Sequence, residues 1–327
     1  MQLRLKARSL VALGCAALAG LSAEARAQSY PSKPMRVIVP FAPGGGADVV
    51  GRLVAQKLTE AFKQQAIVEN RAGAAGRVGA ELVAKAPPDG YTLLLATTSL
   101  MITAPALYAR LPYDVQRDFA PVTLLASGPY VLVVHPSVPA KTVKELIAIA
   151  KSKSGALNYA SSGPGGPAHL AAELFKSMAG VDMVHIAYKG SAPGTTAVLA
   201  GETDIMFSNI SPAIPAIQSK RLRPLAISSE KRSSILPQLP TVAESGLPGF
   251  RVETLYAILA PAGTSRDIIE RLNAELVKAF DAADVRKRLE SDGTEVMVSS
   301  PETLGRIIKE ETVVWTKVIR AAGIKPE

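Results

Sequence analysis

The residues with the clearest chemical meaning are three consecutive glycines between a predicted strand and a predicted helix, within residues 37–62. Residues 37–39 are a short apolar run typical of a buried strand in a parallel sheet. The glycines, residues 44–46, allow a tight turn with positive φ, and Asp48 follows where a helix N-terminus is expected. An apolar stripe at a spacing of four residues indicates that helix: Val50, Val54, Leu58 and Phe62. Free N–H groups and the helix dipole favour an anion at such a turn, so the sequence predicts an anion site.

Other predicted strands also end in polar or glycine-rich segments. These segments are Thr97-Thr98-Ser99 after strand 92–96, Ser161-Ser162-Gly163-Pro164-Gly165-Gly166 after strand 157–160, Lys189-Gly190-Ser191 after strand 184–188, and Ser208-Asn209 after strand 204–207. Ligands of parallel α/β sheets bind at the carboxyl ends of the strands. We therefore expect residues 44–48 and 97–99 to share one cleft, with residues 161–166 as a second anion-binding turn that faces them.

The elements that must position these segments alternate between strand and helix, which indicates βαβ units. A faint internal similarity, between residues 130–139 and 256–264, suggests two similarly built lobes. We expect an α/β fold in which each lobe has a mainly parallel sheet flanked by helices. Lobe 1 is predicted to comprise residues 28–125 and 226–327, and lobe 2 residues 126–225. Such a molecule would close as a hinged clamp around a small acidic ligand.

Length, composition and charge argue against several classes of partner. The chain has 327 residues, enough for two lobes with their own cores. Aromatic residues make up only 5%, which argues against a surface that stacks nucleic-acid bases. The formal net charge is +9, but basic and acidic residues are mixed along the chain, which is typical of a solvated surface rather than a nucleic-acid site. A mild positive field would still favour encounters with anionic solutes.

Residues 1–27 are predicted to be a signal peptide. A basic start precedes the apolar residues 10–21, a stretch too short to span a membrane, and Ala25-Arg26-Ala27 fits a cleavage site. We expect export to the periplasm with cleavage after Ala27, and keep an uncleaved anchor or a lipoprotein linked through Cys15 as alternatives. Cys15 is the only cysteine, so the mature chain would contain no disulfide, thiolate metal site or cysteine nucleophile.

The nucleotide-binding motifs fail at the residues that carry their chemistry. The glycine run at residues 44–46 lacks the third glycine of the dinucleotide motif G-x-G-x-x-G. Residues 46–51 have the glycine spacing of a P-loop, but Arg52 and Leu53 replace its lysine and hydroxyl residue. We therefore expect no nucleotide cofactor.

Hydrolytic and metal chemistry have equally little support. Ser161 and Ser162 lack the first glycine of a G-x-S-x-G elbow. The histidines, His135, His169 and His185, are isolated in sequence, and each is interpreted as structural rather than catalytic. No metal-binding motif is present. We expect a protein that is not an enzyme, with no cofactor and no metal, and keep an exported hydrolase or transferase that uses Ser161 or Ser162 as the competing class.

Taken together, several short motifs resemble one family along essentially all of the mature chain. The motifs are Tyr30-Pro-Ser-Lys-Pro, VIVPFAPGGGADVVGR from residue 37, Val68-Glu-Asn-Arg-Ala-Gly-Ala-Ala-Gly, Pro88-Asp-Gly-Tyr-Thr-Leu-Leu, Leu111-Pro-Tyr-Asp with Asp118-Phe-Ala-Pro-Val, Tyr188-Lys-Gly-Ser-Ala-Pro and Leu239-Pro-Thr-Val-Ala-Glu-Ser-Gly. The chain resembles the Bug (Bordetella uptake gene) family, the extracytoplasmic solute-binding receptors of tripartite tricarboxylate transporters.

The resemblance implies a two-lobe periplasmic binding protein of the Venus flytrap type (type II-like). It implies a small carboxylate ligand, such as a di- or tricarboxylate or an aromatic acid, and membrane permease subunits as partners. We expect a monomer, with a sensory receptor for a sensor kinase as a further alternative. Carried over by motif, the ligand-binding residues would be Phe41, Gly45, Gly46, Ala47, Asp48, Thr98 and Ser99 in the first lobe, and Ser161, Ser162, Gly163, Gly166, Tyr188, Lys189, Gly190 and Asn209 in the second.

Three positions in this set are interpreted individually. Asp48 is expected to cap its helix, with a ligand or water contact as the alternative, because a carboxylate repels an anionic ligand. Lys189 could pair with the ligand, although a single loop lysine is usually solvated. Residues 100–104 read Leu-Met-Ile-Thr-Ala where family members often carry a Thr-His-Ala-x-Asn-like run. This departure would remove polar groups beside the pocket and favour an aromatic or less polar acid.

Overall fold

The computed structural model describes residues 30–108, 110–152, 154–291, 293–321 and 324. The predicted signal peptide, its cleavage site after Ala27 and Cys15 lie outside the described residues. Within the described part of the chain, no helix is both long enough and apolar enough to cross a membrane.

Strands and helices alternate along most of the chain, as predicted. The strands are β1 Met35–Val39, β2 Ala66–Asn70, β3 Thr92–Thr97, β4 Phe119–Val134, β5 Asn158–Ser161, β6 Val184–Ala187, β7 Ile205–Asn209, β8 Arg223–Ile227, β9 Glu253–Pro261 and β10 Glu295–Val296. The helices are α1 Gly46–Phe62, α2 Arg77–Ala84, α3 Ala104–Leu107, α4 Val115–Asp118, α5 Val143–Ser152, α6 Pro167–Ala179, α7 Ser191–Ala200, α8 Ile210–Gln218, α9 Arg266–Asp281, α10 Ala283–Ser291 and α11 Pro301–Ala321. A short 3₁₀ turn, Ala74–Gly76, precedes α2, and a π-helical turn, Ser99–Thr103, precedes α3.

The first sheet has β1 at the centre of its parallel part. Strand β1 pairs in parallel with β2 and with β3, and its residues Val37, Ile38 and Val39 are completely buried. Strand β3 then pairs antiparallel with β9, which pairs antiparallel with the first part of β4. Because β1 is covered on both faces, its continuous apolar run is the one that a central parallel strand requires.

The second sheet is built on the end of the same strand β4. Its residues from Tyr130 to Val134 pair antiparallel with β7 and with β8. Strand β5 lies between β7 and β6 and is parallel to both. Strand β4 therefore belongs to both sheets and joins them.

Strand β4 is one continuous element of 16 residues and contains Pro129 in its second half. Proline has no N–H group to donate within a sheet, and it is tolerated where a strand ends its pairing. Pro129 lies opposite Glu253 at the end of the pairing with β9, just before β4 starts to pair with β7.

The predicted α/β fold is confirmed, with two sheets that share strand β4. Strands that alternate with helices are parallel, as expected, while the connecting strand β4 and its neighbours β7, β8 and β9 add antiparallel pairs. The assignment of residues 28–125 and 226–327 to one lobe and of 126–225 to the other stays a prediction.

Candidate functional site

A cavity lies where strands of both sheets end and helices begin. It contains about 370 Å³ of space between protein atoms. Its wall is formed by Phe41, Ala42, Gly45, Gly46, Ala47, Thr97, Tyr130, Ser162, Pro167, Ser191, Asn209, Thr254 and Tyr256. None of these lining side chains carries a charge near neutral pH, so a ligand must be recognised by neutral hydrogen-bond donors and acceptors.

One side of the cavity is the glycine loop, residues 40–45, which leads from β1 into α1. Gly44 has φ of 86°, a conformation that favours glycine, while Gly45 is the N-cap residue and has no side chain to cap the helix. Among the described residues, none accepts a hydrogen bond from the backbone N–H groups of Gly45, Gly46 or Ala47. These three donors are therefore available to a ligand, as the sequence predicts for this turn.

Asp48 is buried and holds the glycine loop. Its Oδ2 accepts hydrogen bonds from the Gly44 N–H at 3.0 Å and from Arg52 Nε at 2.9 Å, and its Oδ1 accepts one from Asn70 Nδ2 at 2.9 Å. Burial raises the pKa of Asp48, but the hydrogen bonds from Arg52, Asn70 and Gly44 outweigh this effect and lower the pKa below its usual value. Asn70 also donates to the Phe41 carbonyl oxygen at 3.1 Å. Asp48 therefore shapes the loop from behind the cavity wall. The expectation that it caps its helix is wrong, because Gly45 is the N-cap residue of α1 and no side chain makes a cap hydrogen bond there.

The opposite side is the serine loop, residues 161–166, between β5 and α6. Ser162 lines the cavity, while Ser161 is completely buried. Gly163 and Gly165 have φ of 126° and 71°, which favours glycine at both positions. The loop ends at Gly166, which is the N-cap of α6.

Four helices begin at this one cavity. Gly46 and Ala47 open α1, Pro167 opens α6, Ser191 opens α7, and Asn209 is the N-cap residue of α8. The helices are 17, 13, 10 and 9 residues long. Each helix N-terminus has the positive end of a dipole equivalent to about half an elementary charge. Their convergence creates a positive potential in a cavity whose lining side chains carry no charge.

Two tyrosines, Tyr130 on β4 and Tyr256 on β9, complete the wall. Tyr130 and Tyr256 are both buried, and Asn209 Nδ2 donates to Tyr256 Oη at 3.3 Å. Burial raises the pKa of Tyr256, and the nearby Tyr130 raises it further. Burial likewise raises the pKa of Tyr130, although hydrogen bonds with Thr254 and Asn209 oppose the shift. Both phenols therefore keep their protons and can donate hydrogen bonds.

The two sides of the cavity touch in this structure. The Ala42 N–H donates to the Lys189 carbonyl oxygen at 3.3 Å, and Thr103 Oγ1 donates to the Gly165 carbonyl oxygen at 3.0 Å. Gly163 lies so close to Ala75 that a Cβ added to Gly163 would be 3.3 Å from the Cα of Ala75. These contacts close the cavity around whatever it contains.

The predicted site residues fall into three groups. Phe41, Gly45, Gly46, Ala47, Ser162 and Asn209 line the cavity. Behind the wall lie Asp48, Ser99, Ser161, Gly163 and Gly166. Outside it lie Thr98, Tyr188, Lys189 and Gly190. Ligand contact itself stays a prediction for every member of the set.

Thr98 and Tyr188 show why two of these residues lie away from the cavity. Thr98 Oγ1 accepts the Leu255 N–H at 2.7 Å, and the neighbouring Thr97 lines the cavity instead. The side chain of Tyr188 lies near Glu202, and burial, followed by this carboxylate, raises the pKa of the phenol. Lys189 is exposed and contributes only its carbonyl oxygen to the contact with Ala42.

Residues 100–104 do not line the cavity, contrary to the expectation drawn from their apolar sequence. Leu100, Met101 and Ile102 are buried in the main core, and Tyr113 Oη donates to the Leu100 carbonyl oxygen at 3.1 Å. The departure from the family pattern therefore changes core packing and does not make the cavity wall less polar.

Seven lining residues are not in the predicted ligand-binding set: Ala42, Thr97, Tyr130, Pro167, Ser191, Thr254 and Tyr256. Thr97 nevertheless belongs to the segment 97–99 that was expected in one cleft with residues 44–48, and Ser191 to the polar segment 189–191. Pro167 and Ser191 are the first residues of helices after glycine-rich turns, and this position was a usable signal. Tyr130 and Tyr256 lie within strands among apolar neighbours, where nothing in the sequence separates a cavity residue from a core residue.

Ser161 and His185 form a serine–histidine contact that resembles an activated nucleophile, with 2.6 Å between Oγ and Nε2. Ser161 is completely buried, however, and its Oγ also accepts the Gly163 N–H at 3.0 Å. The hydroxyl thus points into the loop that it stabilises and away from the cavity.

Comparison with known proteins shows the family. The family model described as "Tripartite tricarboxylate transporter family receptor" matches residues 50–324. The chain belongs to this receptor family. The receptor is 41% identical over 307 residues to the "UPF0065 protein in tcbD-tcbE intergenic region" of a Pseudomonas species, covering 93% of this chain and 91% of that one. It is 36% identical over 310 residues to protein BugT of Bordetella pertussis, covering 94% and 95%.

Solved structures agree with this assignment. The receptor is similar to R. palustris Rpa4515 with adipate, with a TM-score of 0.89 and 34% identity over 91% of this chain and 100% of that one. It is also similar to MatC from Rhodopseudomonas palustris with bound malate, with a TM-score of 0.85 and 33% identity over 89% and 100%. The resemblance to Bug-type solute-binding receptors is confirmed.

Proposed function

We propose that this receptor binds a small carboxylate, a dicarboxylate first of all, in the cavity between its two sheets and delivers it to a membrane permease. The observation that carries the proposal is the convergence of four helix N-termini on a cavity whose lining side chains are uncharged. A carboxylate is the kind of group that such donors and dipoles favour.

The three free N–H groups of Gly45, Gly46 and Ala47 would hold one carboxylate group. The Tyr130 and Tyr256 hydroxyls, which stay protonated, would donate to the remaining oxygen atoms of the ligand. Hydrogen bonds to an ionised carboxylate are stronger than those between neutral groups, because the charge of the acceptor assists them.

Two similar proteins support the ligand class. Rpa4515 is seen with adipate and MatC with malate, and both ligands are dicarboxylates.

The place of action and the partner follow from the family. We propose that the chain works in the periplasm as the extracytoplasmic subunit of a tripartite tricarboxylate-type transporter, and that it releases its ligand unchanged. The permease subunits would recognise the closed, ligand-bound form.

A thermal-shift screen of the purified receptor tests the ligand class. The panel pairs each acid with its neutral amide, for example adipate with adipamide and malate with malamide, and adds sugars and amines. Ligand at roughly 100 times its Kd stabilises the folded protein by about 2.7 kcal/mol. We expect the melting temperature to rise with at least one acid and not with its amide. A rise with sugars or amines and with no acid would contradict the proposal.

An assay of ester and amide hydrolysis tests release without chemical change. We expect no turnover above that of the buffer. Turnover that disappears in Ser161→Ala or Ser162→Ala would instead support the hydrolase class.

A further inference from the structure

Two histidines stack against each other beside the serine loop, outside the cavity wall. His169 is in the first turn of α6 and is only 2% exposed, and His185 is on the edge strand β6. Their ring centroids are 4.2 Å apart and the ring planes differ by 17°. Tyr159 continues the stack, with its centroid 4.9 Å from that of His185. We call His169 and His185 the histidine stack.

Each histidine holds one end of the serine loop. At the start of the loop, His185 Nε2 lies 2.6 Å from Ser161 Oγ, and this oxygen also accepts the Gly163 N–H. At its end, the Gly165 N–H donates to His169 Nδ1 over 3.0 Å. The stack therefore fixes the loop from which Ser162 reaches the cavity.

The same loop forms a contact that closes the cavity. The Gly165 carbonyl oxygen accepts from Thr103 Oγ1 at 3.0 Å, and a Cβ on Gly165 would lie 2.9 Å from atoms of Leu107 and Tyr108. A change in the Gly165 backbone would thus be transmitted both to the cavity wall and to the contact between the two sides.

The hydrogen bond from Gly165 determines the protonation state of His169. A backbone N–H can only donate, so Nδ1 of His169 must carry no proton and act as the acceptor. A protonated imidazole has two N–H groups and no acceptor. Protonation of His169 would break the bond to Gly165 and place a positive charge in a buried position against His185, and burial disfavours such a charge.

Charged groups of two elements lie near the stack. Glu173, one turn further along α6, accepts the Tyr159 hydroxyl at 2.7 Å and pairs with Lys176 at 2.8 Å. Lys176 also lies over the Tyr159 ring, 5.8 Å from its centroid. On the Gly165 side, the Arg77 guanidinium lies over the Tyr108 ring at 4.1 Å. Lys176 also pairs with Asp182, at 3.5 Å, so the charged groups of α6 beside the stack belong to one chain of ion pairs.

We propose that His169 and His185 are positioning residues of the ligand site and that tight binding requires neutral His169. The effect on ligand binding rests on the proposed function, whereas the effect on the Gly165 backbone can be tested in the ligand-free protein. Imidazoles ordinarily protonate near pH 6.5. For an unperturbed imidazole about one molecule in ten is still neutral at a pH of about 5.5. Because burial opposes the charge on His169, Kd should rise by at most about tenfold between pH values of about 8 and 5.5.

The first experiment needs no ligand. Nuclear magnetic resonance of ¹⁵N-labelled protein follows the imidazole nitrogens of His169 and the backbone amide of Gly165 from a pH of about 8 to about 5.5. We expect unprotonated Nδ1 at the higher pH, and a Gly165 amide shift that titrates together with His169. In His169→Asn, whose amide oxygen can accept at the Nδ1 position without titrating, the Gly165 shift should stay nearly constant. Protonated Nδ1 at the higher pH, or a Gly165 shift that ignores His169, would overturn the proposal.

The second experiment measures Kd by calorimetry over the same pH range, with adipate and malate as probes. Wild type should bind more weakly at the lower pH, by at most about tenfold. In His169→Asn, any change of Kd with pH comes from protonation of the probe itself. The additional pH dependence seen in wild type should be absent from this variant. His185→Phe keeps an aromatic ring in the stack but loses the bond to Ser161, so it should bind more weakly at every pH while keeping the dependence. His135→Gln, in the loop after β4, is the control and should behave as wild type.

Three results would overturn the role of His169. These are equal pH dependence in wild type and His169→Asn, a pH dependence that disappears only in His185→Phe, or wild-type binding that tightens in acid relative to His169→Asn. If neither probe binds at the higher pH, the proposed dicarboxylate function is contradicted for these acids, and the Gly165 titration alone decides the histidine proposal. Melting temperatures of all variants show whether each one is folded.

Discussion

Replacement of Gly46 by alanine should damage the site through a single contact. A Cβ on Gly46 would lie 2.3 Å from Tyr256 Oη, 3.3 Å from Tyr256 Cζ and 3.5 Å from Asn209 Nδ2. The first distance is more than about 1 Å shorter than ordinary contact between carbon and oxygen. Gly46 is a normal helical position without a positive φ, so the backbone itself accepts alanine.

The contact cannot be relieved cheaply, because Tyr256 is 2% exposed and is held in the centre of the first sheet. Overpacking of this kind typically costs about 1–3 kcal/mol. We expect Gly46→Ala to lower the free energy of unfolding by that amount and to weaken carboxylate binding by at least about tenfold, since the displaced hydroxyl belongs to the cavity wall. Urea denaturation and calorimetry measure the two effects.

Tyr256→Phe provides the matched test, because removal of Oη leaves a closest approach of 3.3 Å. The double variant Gly46→Ala/Tyr256→Phe should recover much of the stability lost in Gly46→Ala. Gly45→Ala is the control within the same turn, since its Cβ would lie 3.9 Å from Ser191 Cβ, an ordinary contact. Equal destabilisation by alanine at both glycines, or no recovery in the double variant, would refute the reasoning.

Three further predictions concern the glycine loop and the charge of the cavity. The lowered pKa of Asp48 means that its ionised form stabilises the fold. This contribution is present above the usual carboxyl pKa and is lost as pH falls through the lower pKa of the folded state. Urea denaturation should therefore show that Asp48→Asn destabilises the fold by about 1–3 kcal/mol at neutral pH and by much less near about pH 2. Asn70→Ala removes the bonds to Phe41 and Asp48 and should weaken ligand binding more than it lowers the melting temperature, whereas the reverse order in calorimetry and fluorimetry would limit Asn70 to a structural role. Because no lining side chain is charged, Kd for the bound acid should change less than about threefold between about 50 and 500 mM NaCl, and a steep dependence would point to a cationic side chain in the site.

The first half of the site was predictable because it depends on local sequence. Residues 44–46 specify the turn, and the apolar stripe behind them specifies α1, which begins at Gly46 as the pattern indicates. Charge alone indicated that Asp48 does not hold the anion, but the predicted helix cap was wrong, because the carboxylate is buried and needs the donors that Gly44, Arg52 and Asn70 provide.

Other parts of the site depend on contacts that the sequence does not specify. Thr97 lines the cavity and Thr98 does not, and a difference of one residue at the end of a strand reverses which face a side chain takes. The histidine stack depends on the parallel register that places Tyr159 opposite His185. The position of Tyr256 beside Gly46 depends on the pairing of two strands separated by more than one hundred residues along the chain.

The central claim is that backbone N–H groups and helix N-termini hold a carboxylate without a cationic side chain. A crystal structure with the acid that gives the largest thermal shift tests it most directly. We expect carboxylate oxygens about 3 Å from the N–H groups of Gly45, Gly46 or Ala47, with the phenol of Tyr130 or Tyr256 as a further donor. A carboxylate paired with a lysine or arginine side chain, with those N–H groups bound only to water, would contradict the account.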